Sequence, residues 1–292
     1  MELLATQPGL RYVNEPFRGY LVAKAGLPTG LEHILPPTET KILAIPPDAQ
    51  ERFRTYLTDP RATRNQGPYN PFSPTFHFST DRRVLKMLHA SSVIEWIDDQ
   101  QLGLDIVYLL RHPVPNVLSM TTSVAVRLEA NLRHERFVAR FLTPQQVELG
   151  WSILREGSKL EQFALQWCID NLGPYRAVQA GGRDWTVLTY EELSLSPRQS
   201  VDLLAERLHL EQPEQMLRQM DVPSASTAQA RVGALQSETA EKRVLGWRRR
   251  VDEDTEERIF SICDMFGIDA YERGAGVARP EWLNFADTPR LR

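Results

Sequence analysis

Residues 105–119 read Asp-Ile-Val-Tyr-Leu-Leu-Arg-His-Pro-Val-Pro-Asn-Val-Leu-Ser, and this stretch restricts the fold more than any other. Ile106, Val107, Tyr108, Leu109 and Leu110 form an unbroken apolar run of strand length. Without the alternation of a half-exposed strand, the run predicts a strand buried on both faces of a parallel sheet. Arg111 closes it, two prolines make a turn, and Ser119 stands where a helix is expected to begin. In open α/β sheets, ligands bind at the carboxyl ends of the strands. An arginine there, followed by a hydroxyl at a helix start, suits a phosphate. The competing structural reading pairs the arginine with a carboxylate and makes the serine a helix cap.

The rest of the chain extends this pattern. Pro46-Pro47-Asp48 opens a helix expected to run to about residue 59, with Phe53, Tyr56 and Leu57 at helical spacing. Residues 60–80 lack periodicity and read as a long polar loop suited to substrate contacts. Residues 83–87 form a second strand, and a helix opens at Ser91 or Ser92 with Val93, Ile94, Trp96 and Ile97 as its core face. Strand, helix, strand, helix is the signature of an α/β fold with a central parallel sheet.

Residues 115–172 read as nearly continuous helix, broken near 142–144 and at Gly173-Pro174. Residues 185–190 give a third strand, and Ser196-Pro197 starts a helix carrying Val201, Leu203, Leu204 and Leu208. Residues 222–240 are small and polar. A last helix is expected over 254–266, so residues 1–273 are read as one domain and 274–292 as a tail.

Composition limits function. A chain of 292 residues, 42% hydrophobic and 25% charged, is long enough for one large α/β domain or two smaller ones. A formal net charge of −4 argues against a general nucleic-acid or anionic-membrane binder, yet leaves room for a local basic cleft. Cys168 and Cys263 lie in helix-like segments without metal-ligand spacing and read as buried thiols in a reducing compartment. The sequence shows neither a secretory leader nor an apolar stretch long enough to span a bilayer, so a cytoplasmic location is expected.

Four stretches carry a family resemblance. Arg111-His112-Pro113, with Ser119 eight residues after the arginine, resembles the 3′-phosphate-binding element of sulfotransferases that use 3′-phosphoadenosine 5′-phosphosulfate (PAPS). Trp185-Thr-Val-Leu-Thr-Tyr-Glu-Glu-Leu193, with Pro197 and the helix after it, resembles the family's strand, Tyr-Glu-Asp-Leu turn and downstream helix, with Glu192 replacing Asp. Lys242-Arg-Val-Leu-Gly-Trp-Arg248 is loosely similar to the Gly-x-Trp or Arg-Trp element near the end of many bacterial sulfotransferases, whereas the Arg-Lys-Gly triplet of cytosolic animal enzymes does not occur. Residues 3–17 resemble the segment that follows the phosphosulfate loop in the bacterial and carbohydrate enzymes. In the family a strand and a Gly-x-Pro-Arg-Ser-Gly-Thr-Thr loop precede that segment and cradle the 5′-phosphosulfate. Met1 is therefore expected to be an internal methionine of a longer reading frame, or a point at which the chain was cut. Deleting a central strand would leave buried backbone groups unpaired at about 1–3 kcal/mol each.

The resemblance implies a helix-rich, P-loop-like three-layer α/β fold and a sulfuryl transfer from PAPS to a hydroxyl of a carbohydrate or other small-molecule acceptor, with no metal. With the net charge and the lack of a spanning segment, neither a nucleic-acid nor a membrane partner is expected. Arg111 and Ser119 would hold the 3′-phosphate and Tyr190 would lie near the nucleotide. Trp247, with Arg243 and Arg248, would close over the adenine and 3′-phosphate, although Arg248-Arg249-Arg250 followed by Asp252-Glu253-Asp254 also reads as a solvated helix entry. Glu15, in a Glu-Pro pair, is the expected general base. His89 is the alternative, in a Lys86-Met-Leu-His89 spelling one residue longer than the Lys-x-His of the cytosolic family, and Lys86 would meet the sulfonate or bridging oxygen. A catalytically inactive binding or regulatory protein on the same scaffold is a second reading. A nucleotide kinase is a third, weakened because no Gly-x-x-x-x-Gly-Lys-Ser or Thr sequence occurs.

Overall fold

The computed structural model describes residues 2–14, 50–59, 82–88, 90–123, 128–222 and 238–282. Along these residues the elements are α1 (Glu2–Ala5), β1 (Leu10–Asn14), α2 (Gln50–Thr58), β2 (Arg82–Lys86), α3 (Ile94–Asp99), β3 (Val107–Leu110) and α4 (Pro113–Ser123). Then come α5 (Leu128–Arg133), α6 (Glu135–Phe141), α7 (Pro144–Glu156), α8 (Lys159–Ala180), β4 (Thr186–Thr189), α9 (Tyr190–Leu195), α10 (Pro197–Arg207) and α11 (Pro213–Met220). The last are α12 (Ala240–Leu245), a 3-10 turn (Gly246–Arg249), α13 (Glu253–Met265) and a second 3-10 turn (Pro280–Trp282). This is a helix-rich α/β chain with parallel strand pairing. Of the stretches expected as loops, residues 60–80 and most of 222–240 lie outside the described residues.

The chain forms two compact units, one of Met1–Leu104 with Val201–Ser237, the other of Asp105–Ser200 with Glu238–Arg292. In the first unit β1 pairs parallel with β2, Leu10 opposite Arg82 and Asn14 opposite Lys86. Phe53, Tyr56 and Leu57 face inward from α2, as their spacing predicts, and form a core with Ala90, Val93 and Ile97. Arg83 donates to the carbonyl oxygens of Tyr56 (2.9 Å) and Leu57 (2.8 Å) in the last turn of α2, where carbonyls have no helical donor. Arg82 likewise donates to the carbonyls of Leu208 and His209, just past α10. The Gln7 amide reads both backbone groups of Gln212, donating to its carbonyl (2.8 Å) and accepting from its N–H (3.1 Å).

In the second unit β3 pairs parallel with β4, from Val107 opposite Thr186 to Leu110 opposite Thr189. The expected burial on both faces is corrected here: Leu110 is buried, while Val107 and Leu109 are 37% and 45% exposed. Successive strand residues point to opposite faces, and Val107 and Leu109 lie on the face opposite Tyr108. Tyr108, on the inner face, donates its hydroxyl to Asn171 Oδ1 of α8 at 2.9 Å, and α8 packs in turn on α4 and α13.

Three boundaries differ from expectation. The break at Gly173-Pro174 does not occur, and α8 runs on to Ala180. Pro174 removes the N–H that would meet the Asp170 carbonyl, but Leu172, Gly173, Pro174 and Tyr175 are all buried, and their packing holds the helix through the proline. It ends at Gly181, whose φ of 72° few other residues adopt easily. Tyr190 opens a helix rather than closing a strand, because Thr189 and Glu192 form a reciprocal cap, Thr189 N–H to Glu192 Oε2 at 2.9 Å and Glu192 N–H to Thr189 Oγ1 at 3.0 Å. Finally, the helix after Arg111 begins at Pro113 and not at Ser119. Both prolines fall in the first turn, where a missing N–H costs little.

The segment after α13 is fixed through Trp282. Tyr271 and Ala278 form an antiparallel bridge, and Trp282 stacks on Tyr175 at 4.4 Å between ring centroids. No helix among the described residues is long and apolar enough to cross a membrane.

Candidate functional site

The site is a corner of the second unit where β3 hands over to α4. His112, fully buried, caps that helix. Its backbone carbonyl accepts from Asn116 N–H, and its Nδ1 accepts from Val114 N–H at 3.2 Å. Since an amide can only donate, Nδ1 is the acceptor nitrogen. Nε2 therefore carries the proton and donates to the Ala275 carbonyl at 3.1 Å. Trp247 stacks on the imidazole at 4.8 Å, and Tyr271 meets it edge-on at 4.8 Å. Burial, helped by the charges of Arg248 and Arg111 and opposed by the Ala275 hydrogen bond, holds His112 far below the usual histidine range, at about 3.

Glu191 braces the same corner from α9. Its Oε1 accepts from the His112 backbone N–H at 3.2 Å, and its Oε2 accepts from the Tyr271 hydroxyl at 2.7 Å. Burial pushes this carboxyl up to about 7, against the two hydrogen bonds and the nearby Arg111 charge, which favour the ionised form.

Arg111 sits at the carboxyl end of β3 on this frame. Its guanidinium lies 4.5 Å from the centroid of the Tyr190 ring, and its buried Nε has no hydrogen-bond partner among the described residues. An aromatic face positions a guanidinium without occupying any N–H, and a guanidinium fork is the group that pairs best with an oxyanion. The helix start adds less than the sequence suggested. Pro113 and Pro115 have no N–H, and those of Val114 and Asn116 are already bonded to His112. The first turn of α4 therefore presents no free amide, and anion binding falls to the arginine.

Among the other residues singled out by sequence, Ser119 is exposed nearly two turns into α4, away from its start. Trp247, expected over the adenine, is instead buried with its face against His112, where it belongs to the frame. Arg243 lies on α12 and donates to the Glu238 carbonyl at 3.0 Å. Lys86 ends β2 in the first unit. Glu15 and His89 lie outside the described residues. The structure thus brings Arg111 and Tyr190 together across 79 positions of sequence and adds Glu191, His112 and Tyr271, whose joint role the sequence reading missed. Among the described residues no group of three or more His, Cys, Asp or Glu is arranged to hold a metal ion.

No family model, curated protein or solved structure matches the chain.

Proposed function

We propose that this chain is a PAPS-dependent sulfotransferase of the bacterial and carbohydrate type, with a P-loop-like three-layer fold, acting on a hydroxyl of a carbohydrate or other small molecule. The observation that carries the reading is the Arg111–Tyr190 pair. Two residues that the resemblance assigns to nucleotide binding, from separate segments, meet at the end of a parallel strand, and the guanidinium Nε has no hydrogen-bond partner among the described residues. That is the chemistry a phosphate dianion requires. In this reading Arg111 holds the 3′-phosphate, Tyr190 fixes the guanidinium plane, and Glu191, His112 and Trp247 keep the corner rigid. Bound PAPS supplies the activated sulfonate. Glu15, or alternatively His89, takes the proton from the acceptor hydroxyl, and Lys86 meets charge on the bridging oxygen. Ser119 and Arg243 enter through the resemblance alone.

Calorimetric titration with adenosine 3′,5′-bisphosphate tests the reading. Arg111→Ala is expected to weaken binding about 30-fold, the equivalent of roughly 2 kcal/mol for a charge-assisted phosphate contact. Arg111→Lys, which keeps the charge but not the fork, should fall between. Equal affinity of Arg111→Ala and the parent protein removes the proposal. Glu15→Gln is expected to lower sulfonate transfer to a hydroxyl acceptor while leaving bisphosphate affinity unchanged. Unaltered turnover would move the base elsewhere.

A further inference from the structure

Cys168 lies in the middle of α8 and Cys263 near the end of α13, 95 residues later, and the sequence gives no sign that they meet. Both side chains are fully buried, and the two sulfur atoms stand 3.8 Å apart where the helices pack. A disulfide needs a separation of about 2.0 Å. The two sulfur atoms are already in contact, and closing the bond requires them to approach further by side-chain rotation and any accompanying helix adjustment. No other cysteine occurs in the chain, so neither thiol has a competing intramolecular partner.

We propose that Cys168 and Cys263 are a disulfide-forming pair that fastens α13 to α8, giving the chain a dithiol and a more stable cross-linked form. With a peroxide as oxidant, one thiolate attacks the O–O bond, which breaks to leave a sulfenic acid and release water. The second thiol then displaces the sulfenic oxygen as another water and closes the S–S bond. Two thiols are oxidised by two electrons in total, and one peroxide is reduced to two waters. Burial, together with the adjoining Cys263 thiol, pushes the Cys168 thiol well above its ordinary range, which keeps the dithiol form inert while the helices stay packed. Oxidation therefore proceeds through transient opening between α13 and α8.

The link has a structural address. From α13 the chain turns directly into the segment carrying Tyr271 and Ala275, the two residues that meet Glu191 and His112. A bond at Cys263 ties the base of that segment to the longest helix of the unit and closes a large loop in the unfolded chain.

Intact-mass measurement after stoichiometric hydrogen peroxide, followed by blocking of free thiols, tests the proposal on the whole chain. The expected result is a monomer lighter by about 2 Da with no blockable thiol, a Cys168–Cys263 linked peptide on digestion, and reversal by dithiothreitol. The oxidised chain should melt higher by roughly 5 °C or more, as closing a loop of this length predicts. Cys168→Ala should show neither change. Overoxidised monomers, intermolecular dimers or two thiols still blockable after treatment would overturn the pairing. A linked monomer with an unchanged or lower melting temperature would overturn the fastening. Both readings are available from the parent protein even where the alanine variant fails to fold.

Discussion

Each unit of this molecule has a parallel strand pair, with arginines on a strand in the first and one arginine just past a strand in the second, and they are held in different ways. On β2 of the first unit, Arg82 and Arg83 are turned onto backbone carbonyls, Arg83 onto Tyr56 and Leu57 and Arg82 onto Leu208 and His209. They do the work of helix C-caps, satisfying acceptors that the helix geometry leaves without donors. Past β3 of the second unit, Arg111 lies on the face of Tyr190, and its Nε has no hydrogen-bond partner among the described residues. Arg83 also lies over a ring, 5.9 Å from the Tyr56 centroid, so the difference rests on the hydrogen bonds: an arginine whose donors go to carbonyls belongs to the fold, while one held by a ring alone can belong to a ligand.

The largest expected effect concerns the frame behind Arg111. Glu191 is raised from 4.5 to about 7 by burial, so its proton is retained by the folded state after the unfolded chain has lost it. Its contribution to stability is complete below about pH 4.5 and is lost as pH rises through about 7, amounting to about 3 kcal/mol at roughly 1.4 kcal/mol per pH unit. Glu191→Gln keeps the shape and an acceptor, so urea unfolding should find it equal to the parent near pH 4 and clearly more stable near pH 8. Parallel curves would show that the carboxyl is not titrating as described.

Next in size is the direct contrast between the arginines. Arg83→Ala strands two carbonyls and should lower stability by about 2–3 kcal/mol, whereas Arg111→Ala removes a ring contact and should cost about 1 kcal/mol or less. Similar losses in urea unfolding would break the comparison. The smallest effect separates ring from hydroxyl at position 190. Tyr190→Phe should bind adenosine 3′,5′-bisphosphate like the parent, and Tyr190→Leu several-fold more weakly, near 1 kcal/mol, through a looser guanidinium. If the phenylalanine variant is the weaker of the two, the hydroxyl and not the ring face is what matters.

Local order was largely legible from the sequence, and cross-chain assembly was not. The parallel strands, the α2 core face and the arginine at a strand end follow from short-range pattern. The Thr-x-x-Glu cap of α9 was also present in the sequence, and it marks Tyr190 as a helix residue. The run through Pro174 was hidden because burial overrides a local breaker. The exposure of Val107 and Leu109 was hidden because an apolar run has no alternation to mark an outer face. The brace of His112, Glu191 and Tyr271 joins residues 79 and 80 positions apart, and no local signal announces it. The sequence read the histidine as part of a motif's spelling, and only tertiary packing shows that it is a helix cap.

That cap has a consequence for how the corner senses its surroundings. With Nδ1 occupied by Val114 and Nε2 by Ala275, protonating His112 would require a structural bond to break first. Histidine is normally the side chain that reports neutral pH, yet here it is silent and the neighbouring carboxyl responds. The corner thus carries a titration near neutrality whose added charge is negative on deprotonation, beside the arginine proposed to receive an anion, so alkaline conditions should loosen that anion while the imidazole keeps the backbone still.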